Sequence, residues 1–140
     1  MLHQIIFTST SAPGVSLVDK VNVASYSVSS SKSLGLTGRV LAVPDMALNI
    51  LEGPEAIVTA YVEAIREDAL IELLVIHHSQ PLEAREFDDY SVWMTYKPEQ
   101  QMRNVYHLGA ENFHEALPET LSRKTRLFIE ANFTLDDLTR

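Results

Sequence analysis

The chain contains no cysteine, so neither a disulfide framework nor a thiolate metal site can hold it together. Stability has to come from a packed core, and a chain of 140 residues can bury roughly two thirds of the surface it would expose when unfolded. Basic residues are also scarce: 11 Lys and Arg stand against 19 Asp and Glu, for a net charge of -8. Apart from Arg123-Lys124-Thr125-Arg126 they are scattered, which leaves no cationic stripe to collect phosphates, and no nucleic-acid partner is expected. No apolar run approaches the ~20 residues of a membrane span, and no basic segment precedes an apolar one near the start of the sequence. A cytoplasmic protein without membrane contact is the expectation. Repeats, low-complexity tracts and linkers are missing too, and the 46% hydrophobic, 21% charged composition suits one globular domain.

The order of elements follows from periodicity and punctuation. Residues 2–8 are rich in Ile and Phe and are closed by Ala12-Pro13-Gly14, which predicts a central strand followed by a loop. Ser16 with Asp19 resembles a capping box, and Leu17, Val21, Ala24 and Val28 recur at helical spacing. The serine-rich run 27–33 predicts the end of that helix in a loop. Two strands follow, over 36–43 and 46–51, broken at Pro44-Asp45. Gly53-Pro54 then predicts a helix with proline at its first position, and Ile57, Val58, Tyr61, Val62 and Ile65 give that helix a broad apolar face. Residues 70–76 are expected to be a short buried strand, and 87–96, aromatic and β-branched, another. After Lys97-Pro98, helical spacing resumes at Leu117, Leu121, Phe128 and Ala131, with Pro118 at a helix start.

Three segments carry a family resemblance. They are Gly35-Leu36-Thr37-Gly38, then Asn49-Ile50-Leu51-Glu52-Gly53-Pro54, and last Arg85-Glu86-Phe87-Asp88-Asp89-Tyr90-Ser91-Val92. They resemble the BLUF family of blue-light sensors that use FAD, whose pattern is Gly-Ile-Thr-Gly, Phe-x-Gln-x-Leu-Glu-Gly and Arg-x-Phe-x-x-Trp-Ser-Met. The resemblance covers about residues 1–96 by motif. It implies an α+β, ferredoxin-like βαββαββ core over 1–96, a mixed sheet with two helices on one face, and a C-terminal helical extension over 97–140 packed on that core as part of a single domain. It also implies an isoalloxazine site between the two helices.

The same resemblance locates the chemical positions, and they are altered. The Tyr that donates an electron and proton to the excited flavin is Phe7, a phenyl ring with no hydroxyl. Its Gln partner is Asn49, one methylene shorter. The Asn that grips the flavin carbonyl aligns with Ser31, or with Ser30 under a shift of one. The Asp-x-Arg-His signature reads Asp68-Ala69-Leu70-Ile71, so that Leu70 replaces the cation. On the signalling strand the family's Trp and Met align with Tyr90 and Val92. Trp93, the single tryptophan, lies one residue on and would face the other side of its strand. Four lost hydrogen bonds at about 1 kcal/mol each amount to about 4 kcal/mol, roughly a thousandfold in affinity. Phe7, Ser31, Asn49 and Leu70 are therefore expected to be vestigial equivalents of a flavin site.

The remaining candidates have blander readings. His77-His78, at the end of a predicted strand, would point to opposite faces and cannot readily chelate one ion, while His3, His107 and His114 are dispersed. Glu52 precedes a helix start and is expected to cap backbone rather than move protons. Asp88-Asp89 and Glu63-Arg66-Glu67-Asp68 fit solvated faces, and Asp136-Asp137 after Thr134 fits a helix cap. No nucleophile elbow occurs, so no enzyme, no catalytic residue and no metal are expected. Three functions stay open. The first is a BLUF-family sensory or regulatory domain that has lost FAD photochemistry, holds no cofactor and acts through an unknown protein partner; the resemblance also implies a homo-oligomer, since short BLUF proteins often self-associate. The second is a flavin-binding light or redox sensor with a rewired pocket that retains FAD. The third is a small-ligand binder or enzyme using the cleft between the two helices, where Asn49, Ser31 and Thr37 offer polar anchors.

Overall fold

The computed structural model describes residues 1–44, 46–95, 104–109, 113–119 and 121–132. Its strands and helices run β1 (Leu2–Ser11), α1 (Leu17–Ser33), β2 (Thr37–Ala42), β3 (Ala47–Pro54), α2 (Glu55–Arg66), β4 (Ile71–Leu82), β5 (Tyr90–Met94), β6 (Val105–His107) and α3 (Arg123–Asn132), with a 3-10 turn at Phe113–Ala116. The sheet order is β4-β1-β3-β2-β5-β6. β1 lies antiparallel between β3 and β4, β2 is antiparallel to β3, and β5 and β6 add in parallel beyond β2. This is the expected mixed α+β, ferredoxin-like sheet, extended by a sixth strand in a stretch expected to be helical.

Alternation along β1 separates two cores. Ile5 and Phe7 face α1 and α2 in one cluster with Leu51, Val58, Val62 and Val92. Ile6 faces the C-terminal elements in another, with Leu41, Leu48, Ile50, Phe87 and Ile129.

Several local expectations are corrected. The serine run does not end α1: the helix continues to Ser33, because Tyr61 of α2 supplies a hydroxyl 3.0 Å from Ser30 Oγ and 3.4 Å from Ser31 Oγ. Tertiary partners override the weak helix preference of serine here. The helix stops directly after the run, where Gly35, at φ 72°, donates to the Lys32 carbonyl and Leu36 donates to the Ser31 carbonyl in a Schellman arrangement. The Ser16–Asp19 capping box is present. Pro54 ends β3 and is the N-cap residue of α2, not its first helical residue. β4 is a long edge strand with mostly exposed side chains, where a short buried strand was expected. His77 and His78 lie within it, beside a bulge at Ile6/Phe7. β5 begins at Tyr90, so Phe87 belongs to the loop before it. Pro118 sits in a turn whose carbonyl accepts from Leu121, and the helix starts only after Ser122. Asp45, Tyr96, Lys97, Pro98, Thr134, Asp136, Asp137 and the side chain of Phe128 lie outside the described residues.

The family-like segments turn out to be joints. Gly38 has φ 149°, and a Cβ there would lie 1.8 Å from the Ile50 carbonyl oxygen. The Arg85 guanidinium donates to the Gly35 carbonyl at 2.9 Å and to Thr37 Oγ1 at 2.8 Å, fastening the turn before β2. Arg39 donates to the Ala116 carbonyl at 2.8 Å, pairs with Asp89 at 2.7 Å and covers the Phe87 ring.

Beneath α3 lies a buried polar cluster. Gln4 Nε2 donates to Glu52 at 2.8 Å and to Glu86 at 2.6 Å. Glu52 Oε1 accepts the backbone N–H groups of Glu86 and Phe87 at 2.9 and 3.0 Å. Glu52 thus caps backbone as expected, but that of the β4–β5 loop and not of α2. Glu86 accepts from the Ser122 N–H at 2.6 Å and from Thr125 Oγ1 at 3.0 Å, so its charge faces the positive end of α3. Burial pushes the Glu52 carboxyl above its ordinary 4.5, against the opposing bonds from Phe87 and Gln4. Burial acts the same way on Glu86, but the bonds from Ser122, Gln4 and Thr125 outweigh it and hold that carboxyl below 4.5.

Two predictions follow from these joints. Gly38→Ala should cost about 3 kcal/mol in urea unfolding, since both backbone strain and overlap with Ile50 have to be relieved; an unchanged midpoint would refute the close approach. The pH dependence has two opposite parts. The lowered Glu86 value contributes stability that is present above 4.5 and lost as the pH falls through the folded value. The raised Glu52 value contributes stability that is present below 4.5 and lost as the pH rises through the folded value. Urea midpoints followed from acid to neutral pH should therefore lose their acid-side decline in Glu86→Gln and their decline above 4.5 in Glu52→Gln. Parallel profiles for the two variants would contradict this assignment.

Candidate functional site

Between α1, α2 and the sheet is a cavity of about 420 Å³, within the range of small-ligand pockets. Small residues on facing elements keep it open: Ala24 of α1, Ala42 of β2, Ala47 of β3 and Ala64 of α2 all line it. As a result α1, although 17 residues long, fully buries only Ala24 and Ser31. Val23, Tyr26 and Leu34 line the same space while staying 39%, 72% and 43% exposed, which makes an apolar rim.

The positions expected to be flavin-site equivalents are only partly brought together. Asn49 and Leu70 line the cavity, whereas Phe7 and Ser31 are not among its lining residues. Phe7 is fully buried in the sheet, directly opposite Asn49 in the β1–β3 register. The Asn49 amide donates to the Ala47 carbonyl at 3.2 Å and to Ser9 Oγ at 3.4 Å. Ser31 is sealed behind the Tyr61 hydroxyl, while Ser30 reaches the cavity. Thr37, another expected anchor, is held by Arg85 instead.

Tyr90 was expected on the signalling strand, and it also lines the cavity. Burial and the neighbouring Tyr61 push its phenol far above the ordinary 10.0, with hydrogen bonds to Ser31 and Ser27 opposing them, so it stays neutral and dry. Sequence reasoning missed Tyr61 and Ser27 as members of this hydroxyl cluster. The signal that would have found them is a tyrosine at α2 spacing facing a serine run that remains helical. Val92 shares the helix-side cluster with Tyr90, and Trp93 projects to the opposite face, where its ring lies 4.7 Å from that of Tyr106.

Whether a flavin fits can be judged from these groups. The apolar walls and the volume suit a flat ring system. The polar edge of an isoalloxazine, with several donors and acceptors, does not find matching partners at the family's positions: Asn49 is engaged by Ala47 and Ser9, Phe7 carries no hydroxyl and Leu70 no donor. Among the described residues lining the cavity, the charged ones are Lys20 and Asp68, and the Lys20 ammonium donates to the Pro44 carbonyl at 3.0 Å. The residues present therefore do not fit the polar part of the cofactor. Among the described residues, no group of His, Asp and Glu could hold a metal ion, and no helix is long and apolar enough to cross a membrane.

Comparison with known proteins bears on the scaffold. No curated protein sequence matches the chain. A dark-state structure of BlrB, a BLUF protein, superposes with a TM-score of 0.61 at 22% identity, over 66% of this chain and 70% of that one. Klebsiella pneumoniae BlrP1 with FMN and cyclic diGMP gives a TM-score of 0.68 at 21% identity over 91% of this chain. A bacterial light-regulated adenylyl cyclase gives 0.62 at 17% identity over 74%. This chain spans only 33% and 30% of the length of those last two proteins. At such identities the likeness establishes the fold alone. The family model for BLUF, described as sensors of blue-light using FAD, matches residues 2–93, and the chain belongs to the BLUF family.

Proposed function

We propose that this chain is a BLUF sensory module that has lost the flavin photochemistry of its family and works through protein contacts, without catalysis of its own. The observation that carries this reading is the Phe7–Asn49 pair. In the family, a phenol and a glutamine amide share a hydrogen bond at these positions. Here a fully buried phenyl faces a shorter amide already engaged by the Ala47 carbonyl. A phenyl ring offers no proton to transfer, so Phe7, Ser31, Asn49 and Leu70 are vestigial equivalents of flavin-site positions.

The output runs along β5. Tyr90 and Val92 touch the helix-side core and Trp93 the other face, so a change in the cavity reaches the C-terminal surface through one short strand. The core over 1–96 with its extension over 97–140 acts as one domain, and the partner is an effector protein or a second copy of the chain. The light-regulated cyclase, in which a matching fold occupies part of a longer chain, favours an effector. A cytoplasmic location without membrane or nucleic-acid contact completes the reading.

One observation favours a second reading, in which the cleft still binds a small molecule: the cavity of about 420 Å³ has not collapsed. A flavin retained in a rewired pocket is one version of it.

An absorbance spectrum of the purified chain, taken before and after incubation with excess FAD and gel filtration, decides between retention and loss of flavin. No visible flavin band is expected. A band that survives filtration would overturn the proposal. Phe7→Tyr combined with Asn49→Gln should tighten FAD binding about thirtyfold, from two restored hydrogen bonds. A folded double variant with unchanged affinity would show that these positions do not carry the loss.

A further inference from the structure

Three features of the cavity together define what it can hold. Its walls are apolar, its polar groups are almost all uncharged hydroxyls, and the helix above it is underpacked. The hydroxyls cluster where α1, α2 and β5 meet: Ser30 Oγ lies 3.0 Å from the Tyr61 hydroxyl, and Ser27 and Tyr90 line the same part of the cavity. Serine and tyrosine hydroxyls can each donate or accept, so the cluster can rotate to satisfy one incoming hydroxyl or carbonyl without breaking the rest.

A charged ligand finds little support where the hydroxyls cluster, since none of Ser27, Ser30, Tyr61 and Tyr90 carries a charge. Lys20 and Asp68, the charged lining residues among those described, have opposite signs, and Lys20 is already engaged with Pro44. Burying an unpaired charge in such surroundings is strongly unfavourable. A ligand with many polar atoms around its edge would leave most of them unsatisfied against Ala24, Ala42, Val40 and Met94. The exposed rim of Val23, Tyr26 and Leu34 instead offers apolar surface that an apolar occupant would cover.

We infer that the cavity between α1, α2 and the sheet binds an uncharged, mainly hydrocarbon molecule of two or three rings, or an equivalent chain, whose single hydroxyl or carbonyl bonds with the Ser27, Ser30, Tyr61 and Tyr90 cluster. This deepens the small-molecule reading and rests on the proposed loss of flavin binding. The occupant completes the core that α1 leaves open. Its binding raises the melting temperature of the chain by mass action.

The test uses the full chain and the neutral fluorophore N-phenyl-1-naphthylamine, whose emission rises in apolar surroundings. Saturable binding is expected, with displacement by 2-naphthol about tenfold better than by 2-naphthoate, its charged counterpart. Ala64→Trp, at an exposed helical position lining the cavity, should abolish probe binding. Tyr61→Phe should shrink the preference for 2-naphthol over naphthalene several-fold. Equal competition by 2-naphthoate, an unchanged preference in Tyr61→Phe, or undiminished binding in folded Ala64→Trp would each overturn the inference. Absence of saturable probe binding would overturn it too, while leaving the loss of flavin intact. Displacement of the probe by riboflavin in preference to 2-naphthol would overturn both.

Discussion

The Glu52 carboxylate is the point on which the two faces of this molecule are hung. It lies on β3, fully buried, and receives the backbone N–H groups of Glu86 and Phe87. Those bonds fix the loop that carries Arg85 to the turn before β2 and Phe87 into the core beneath the C-terminal elements. Gln4 on β1 gives one N–H to Glu52 and the other to Glu86, so two acidic side chains share a single amide. Glu86 passes the linkage on to Ser122 and Thr125 at the start of α3. Removing one partner from such a cluster leaves the others buried without donors, which costs more than the bond itself.

The two faces of the sheet solve opposite packing problems. Beneath α3, large side chains such as Ile6, Leu41, Ile50, Phe87 and Ile129 interlock, and the carboxylate cluster is satisfied by its own partners. Beneath α1 and α2, alanines and serines occupy positions that a filled core would give to Leu or Ile, and a hollow remains. β5 contributes to both, with Val92 and Met94 on the hollow side and Trp93 on the filled side. Any change of occupancy under α1 is therefore delivered to a strand whose other face is already ordered by Trp93 against Tyr106.

The fold was legible where local chemistry and tertiary demand agree. The Ser16–Asp19 capping box and the Ile- and Phe-rich first strand each say the same thing locally and globally. Legibility failed where a distant partner decided the outcome. The serine run stays helical because Tyr61 answers it, and Pro54 stays in β3 because Leu2 and its neighbours pair across it. β4 looked like a buried strand because its composition is apolar, yet it lies at the sheet edge with Leu73 and Val75 in solvent. The roles of Tyr61 and Ser27 and the cavity itself were not legible in the sequence. A hollow is a property of small residues on four separate elements, and no single segment records it.

Loss of a photochemical donor and persistence of the hollow are compatible because they depend on different numbers of residues. Proton and electron transfer from a tyrosine depends on one oxygen atom, and replacing it with hydrogen in Phe7 abolishes that route without disturbing the packing of the ring. The volume depends on many side chains at once, and filling it needs several concerted enlargements, each of which would overpack its neighbours until the others followed. What remains is a largely apolar pocket with a cluster of hydroxyls, lined in part by β5. On the proposed reading, occupancy rather than light is the variable this scaffold would report.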